Sequence, residues 1–273
     1  MKKISHNYFK KRHIAITLNR VGLPCATAIW SREAKIVVGS NSEGNNTNQL
    51  DGPYGLVLDS DGAFFVVDRG NDRVVKWQKG ATNGIVAAGG HGQGSAADQL
   101  DRPTNIAVDN EGTMYITDGY NEHGRLPRWK RAADVGETLF VSSKRLIAGV
   151  VLDETEENLY VGYQYEGSVI KYVIQNNGRG QGQVVASRVR DIEGVAVDAS
   201  GTVYSSGFDR VVKWPSVMNG TTPQGIVIAG GHSIGNATTQ LNNPLGIHVD
   251  PSGEDVYIAD AWNHRIVEVI HQT

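Results

Sequence analysis

The 273-residue sequence predicts an all-β chain, a propeller of four-stranded antiparallel blades, and three observations carry that reading. A seven-residue motif that opens on proline and closes on aspartate runs Pro53–Asp59, Pro103–Asp109 and Pro244–Asp250, with weaker copies at Ile147–Asp153 and Ile192–Asp198. Its aspartates stand at 59, 109, 153, 198 and 250, spacings of 50, 44, 45 and 52 residues, the length of one blade. Glycine reaches 33 residues, about 12% against roughly 7% in average usage, without any low-complexity block, so it belongs to many tight turns. No helical periodicity of useful length appears.

Within each unit the elements follow in order. The run before the aspartate is apolar at nearly every position, the pattern of a strand buried on both faces. A glycine-bearing turn follows (Ser60-Asp61-Gly62, Asn110-Glu111-Gly112, Ala199-Ser200-Gly201, Pro251-Ser252-Gly253), and glycine there supplies the positive φ of a short hairpin. Second strands are expected at Phe64–Val67, Met114–Thr117, Leu159–Val161, Val203–Ser205 and Val256–Ala259. Third strands, rich in β-branched residues, are expected at Arg73–Trp77, Val169–Tyr172, Arg210–Trp214 and Arg265–Val269. Fourth strands read Gly84–Ala88 and Gly225–Ala229.

A lone blade cannot bury both faces, so the blades must close into a ring, and a ring must manage its chain ends. The last unit supplies three strands. The orphan Lys35–Gly39 leads into Asn41–Leu50 with the spacing that Ala88–Leu100 and Ala229–Leu241 repeat, so an N-terminal strand is expected to complete the last blade. The count is five blades. Six is the alternative, with His13–Leu18 and Cys25–Trp30 as part of the extra one. Residues 1–34 then form a basic leader or partial blade, and residues 35–273 the propeller.

Composition narrows the function classes. Formal net charge is -3, and setting aside the basic leader makes the ring more negative still, which argues against nucleic acid as the ligand. The single cysteine, Cys25, excludes an internal disulfide. No apolar run approaches the roughly 18–20 residues of a membrane span. These features suit the cytosol. Sequons at Asn45, Asn219 and Asn236 suit a secreted setting as the alternative.

The signature Pro-x-Gly-x-x-x-Asp, then Tyr-x-x-Asp, then Asn-x-Arg-Ile/Val, resembles the NHL repeat, most closely in Pro53–Trp77 and Pro244–Val269. The resemblance covers residues 35–270 and weakens in the third unit, where Tyr163 and Ser168 replace the aspartate and arginine, and in the fourth, where Gly207 replaces the aspartate. It implies a binding propeller for protein, peptide or RNA, or, in related propellers, lyase or lactonase chemistry. The fold alone does not choose.

Residue types favour binding. The pairs Asp68 with Arg73, Asp118 with Arg125 and Asp260 with Arg265 recur at fixed positions in three of the five units, which marks structure, because an active site occurs once per ring. The second unit also resembles a segment of peptidyl-hydroxyglycine amidating lyases, whose zinc is held by histidines at the start of inner strands. The matching slots here are Tyr54, Thr104, Ala148, Glu193 and Leu245, and none is histidine. A lactonase-like calcium finds oxygen ligands in Glu193 and Asn105, too few for an ion that takes six to eight. No cofactor is therefore expected, with calcium or zinc in the central channel as the alternative.

The expected ligand is a protein or peptide, held by a monomeric scaffold on the rim that follows the second strands (Arg69, Tyr120, Tyr165, Phe208, Trp262) and on the channel mouth (Tyr54, Thr104, Asn105, Glu193, Leu245).

Overall fold

A computed structural model describes residues 15–17, 36–40, 42–59, 61–119, 124–142, 146–174, 182–216 and 224–270. It is all-β, with five sheets that follow one another along the chain. The first holds β1 (Ala15–Thr17), β2 (Pro53–Leu58), β3 (Phe64–Asp68), β4 (Arg73–Trp77) and β5 (Ile85–Gly89). The second holds β6 (Asn105–Val108), β7 (Met114–Thr117), β8 (Arg125–Trp129) and β9 (Glu137–Val141). Then come β10 (Ile147–Leu152), β11 (Asn158–Tyr163), β12 (Ser168–Val173) and β13 (Gln183–Ala186). The fourth holds β14 (Ile192–Val197), β15 (Val203–Gly207), β16 (Arg210–Trp214) and β17 (Ile226–Gly230), and the fifth β18 (Pro244–Val249), β19 (Asp255–Asp260) and β20 (Arg265–Ile270). Apart from β1, each sheet is an antiparallel meander, and the inner strands pack in turn, β2 on β6, β6 on β10, β10 on β14 and β14 on β18. This is a five-bladed propeller.

The strands lie within a residue or two of their expected bounds. Three were not foreseen: β8, β9 and β13. Pro127 sits inside β8, where a proline argues against a strand, and the ladder absorbs it by a register shift between Leu126 and Pro127.

The motif aspartate is the turn-former. Asp59 Oδ1 accepts the backbone N–H groups of Asp61 and Ala63, and Asp109 Oδ1 those of Glu111 and Thr113. Gly62 completes the hairpin at φ +76°. Burial works against the charged form of Asp59, but the Ala63 N–H and the Lys76 ammonium outweigh it and hold the carboxyl below its ordinary value.

Between blades lies the core. Phe65, Val67 and Val74 of the first blade meet Ile106, Met114 and Trp129 of the second, and equivalent layers join the second to the third, the third to the fourth and the fourth to the fifth. A buried side chain of this size contributes about 1.5–3 kcal/mol, so each layer of about ten is a large share of the fold's stability.

The Asp–Arg pairs have a geometric partner that explains where they occur. Arg73 Nε donates to Asp68 at 2.7 Å, and its Nη atoms donate to the carbonyls of Asn45, Asn46 and Gln49 in the loop entering the blade. Arg125 does the same with Asp118 and the carbonyls of Ser95 and Gln99, and Arg265 with Asp260 and those of Asn236, Ala237 and Gln240. The third and fourth blades are entered by five residues each, 142–146 and 187–191, so they have no such loop to hold. The signature decays where its ligand loop is missing.

Ring closure differs from expectation. Residues 36–40 form no strand, and the last sheet holds β18, β19 and β20 alone among the described residues. Instead β1 runs parallel to β2, pairing Ala15 with Gly55 through Thr17 with Val57, and packs on β18 as well. A strand thus stands in the seam between the first and last blades. Cys25–Trp30 lies outside the described residues.

Candidate binding face

The turns between second and third strands and the connections entering the inner strands share one end of the propeller. A single 3-10 turn, Arg69–Asn71, forms the first, and Ala261–Asn263 forms the last. The loops held by Arg73, Arg125 and Arg265 cover the first, second and fifth blades, and the third and fourth carry none.

Across those two blades and onto the rim of the fifth, several side chains form one connected run. Tyr165 is 69% exposed on the turn after β11. The backbone of that turn accepts the Val189 N–H at Gly167, which sets Arg190 beside it. The Arg190 guanidinium lies 3.9 Å from the ring centroid of Phe208, a cation–π contact. Phe208 itself sits at φ +49°, and its carbonyl accepts the Asn243 N–H, while Asn242 accepts the N–H of Trp262, 49% exposed. Gln164 donates to Glu193 at 2.6 Å, bridging the third and fourth blades.

The other predicted residues divide. Tyr54 lies under Arg69, the guanidinium 5.5 Å from its ring centroid. Asn105 is half-buried, and its side-chain oxygen accepts the Ile106 N–H. Thr104 is buried between Thr117 and the Ile147 carbonyl, and Leu245 is buried beside the fourth blade, its carbonyl taking the Ser206 hydroxyl. Both side chains are thus buried where their inner strands begin. Tyr120 lies outside the described residues. Sequence reasoning passed over Arg190 and Gln164. A signal was available for Arg190, which lies in the short connection 187–191 that distinguishes the fourth blade.

Among the described residues no cluster of three or more His, Cys, Asp or Glu could hold a metal ion. Glu193 and Asn105, the proposed oxygen ligands, are hydrogen-bonded within the protein. His248, half-buried on β18, faces Tyr257 with ring centroids 6.4 Å apart, and burial lowers its pKa. The folded state then prefers the neutral imidazole more than the unfolded chain does, so stability is lost as pH falls from the ordinary histidine value of about 6.5 through the folded pKa. His248→Gln is expected to flatten that part of a stability-against-pH curve measured by urea denaturation. An unchanged slope would assign it to other groups.

Comparison with known proteins places the fold. The NHL repeat model matches residues 241–268, from the end of the fifth blade's entry loop into β20. No curated protein matches. Among solved structures, the chain is similar to one from a nidogen–laminin complex, 16% identical with a TM-score of 0.63, over 82% of this chain and 77% of that one. A gluconolactonase from Xanthomonas campestris is 13% identical with a TM-score of 0.60, over 76% and 68% respectively. A PQQ-bound aldose sugar dehydrogenase from Streptomyces coelicolor is 14% identical with a TM-score of 0.56, over 87% and 81%. At these identities the likeness is one of fold. The chain is a five-bladed propeller carrying an NHL-repeat motif, of an architecture found both in enzymes and in a protein–protein complex.

Proposed function

We propose that this propeller is a binding scaffold whose ligand is a peptide or protein segment laid across the third to fifth blades. The observation that carries it is the run from Tyr165 through Arg190 and Phe208 to Trp262, where two large aromatic side chains stand exposed at the ends and an arginine stacks on a third between them. Aromatic and arginine side chains anchor interfaces because they bury much area with few rotatable bonds. The missing entry loops matter as much, since they leave room there that the other blades fill. The nidogen–laminin likeness agrees with this use of the fold.

Peptides selected from a display library on the unaltered protein test it. Tyr165→Ala and Trp262→Ala should each weaken their binding by tenfold or more, about 1.4 kcal/mol or above, with the melting temperature of the Tyr165 variant little changed because that side chain is 69% exposed. Selected peptides that bind the double variant as well would overturn the reading. So would near-stoichiometric calcium or zinc in protein purified without chelator, together with lactone hydrolysis.

A further inference from the structure

Five arginines on this end of the propeller donate to a carboxylate. Arg73, Arg125 and Arg265 hold the aspartates of the repeat signature, Arg102 donates to Asp101 at 3.2 Å, and Arg210 to Asp209 at 2.8 Å. Arg188 and Arg190, both exposed in the 187–191 connection, differ from these. Among the described residues the carboxylate paired with either is Asp191 alone, its Oδ2 3.7 Å from Arg190 Nε, outside hydrogen-bond distance. The Arg190 side chain is 71% exposed, yet it is held, because the Phe208 ring supports the guanidinium from one side. A guanidinium stacked on a ring keeps its N–H groups for another partner.

Two departures from the repeat put it there. Gly207 stands where the first, second and fifth blades have Asp68, Asp118 and Asp260, so the fourth blade lacks the carboxylate that ties down an arginine in those three. A Cβ at Gly207 would also collide with the backbone carbonyls of Arg190 and Asp191, so the glycine lets the 187–191 connection lie directly against this turn. Phe208 follows at φ +49°, a left-handed conformation that a bulky residue adopts at a cost. A strained aromatic beneath a solvent-facing arginine adds little to the fold, which points to a ligand.

We propose that the bound segment carries an acidic side chain, Asp or Glu, whose carboxylate docks on Arg190 between apolar side chains resting on Tyr165 and Trp262. This rests on the reading of the run as a peptide-binding face and gives that peptide its charge. The guanidinium offers a carboxylate two parallel N–H donors, and the apolar flanks keep water from the pair. Glu166, Asp191 and Glu193 offset the charge of Arg188 and Arg190, so the site suits one carboxylate and not a polyanion.

Peptides selected on the unaltered protein should share an Asp or Glu. For one of them, Arg190→Gln should weaken binding about tenfold or more, and so should changing the peptide's acid to its amide. The two changes together should cost no more than either alone. Arg190→Lys should stay about fivefold weaker than the unaltered protein, because lysine brings the charge without the fork. Losses that multiply when combined would mean that Arg190 shapes the turn and does not meet the carboxylate, which overturns the proposal. Peptides that need Tyr165 and Trp262 but share no acid and bind Arg190→Gln unchanged also overturn it, and leave the face itself standing. Peptides indifferent to Tyr165 and Trp262 overturn the face, and the acidic ligand with it.

Discussion

Arg73→Ala is expected to destabilise the protein by about 3–5 kcal/mol, a large part of the roughly 5–15 kcal/mol that holds a typical domain. The side chain is nearly buried and Asp68 wholly so. Removing the guanidinium strands a carboxylate away from water and leaves the Asn45, Asn46 and Gln49 carbonyls short of a donor. Burial already pushes the Asp68 carboxyl above its ordinary pKa, against the Asp51 N–H, the Asn71 amide and Arg73 itself. Without Arg73 the folded pKa rises further. A raised carboxyl pKa contributes stability below the unfolded value of about 4 and loses it as pH rises through the folded pKa, so the variant's deficit should grow with pH. Arg265→Ala should cost no more than about half as much, because Arg265 is 31% exposed and water can replace part of what it gives. Urea denaturation of both variants at two pH values checks all three statements. Equal costs for Arg73 and Arg265 would show that the entry loop, and not the buried charge, sets the penalty.

Much of this was legible in the chain because a repeat repeats its reasons. The aspartate that ends each motif is the acceptor for its own hairpin turn, so the residues that revealed the blades are those that shape them. The Asp–Arg pairs were readable as structure from their recurrence, but their partner was not. Loop carbonyls have no sequence signature, and it took the fold to show that 142–146 and 187–191 are too short to need the pair. The candidate face was legible in part. Tyr165 and Trp262 follow from repeat position, because a turn that departs from its neighbours is seen by alignment of units. The burial of Thr104 and Leu245 was not legible, since the hydroxyl of Thr117 and the carbonyl of Ile147 that enclose Thr104 come from other strands. Ring closure was the least legible, because it depends on β1, whose three residues carry no repeat signal.

Gly194→Ala is expected to cost about 3 kcal/mol, the upper part of the range for forcing atoms into a packed interior. Gly194 is the third residue of β14, the motif position that is also glycine at Gly55, Gly149 and Gly246. A Cβ there would stand 2.2 Å from the Leu245 carbonyl oxygen and 2.7 Å from Ser206 Oγ. The first is backbone of the neighbouring blade, which cannot rotate away. Relief requires β14 and β18 to part, and parting them breaks the 2.7 Å bond from the Ser206 hydroxyl to that same carbonyl. Gly149→Ala supplies the control at the same repeat position, because its Cβ would meet nothing nearer than 3.4 Å and should cost under about 1 kcal/mol. The motif's glycine is therefore a spacing device whose tightness varies from blade to blade. The fourth and fifth blades are where Phe208 and Trp262 are tied together through Asn242 and Asn243, so Gly194→Ala should weaken peptide binding as well as stability. Gly149→Ala should leave both nearly unchanged. If the two alanines cost the same, backbone approach between blades is not what the motif glycine provides, and its role falls back to the conformation of its own strand.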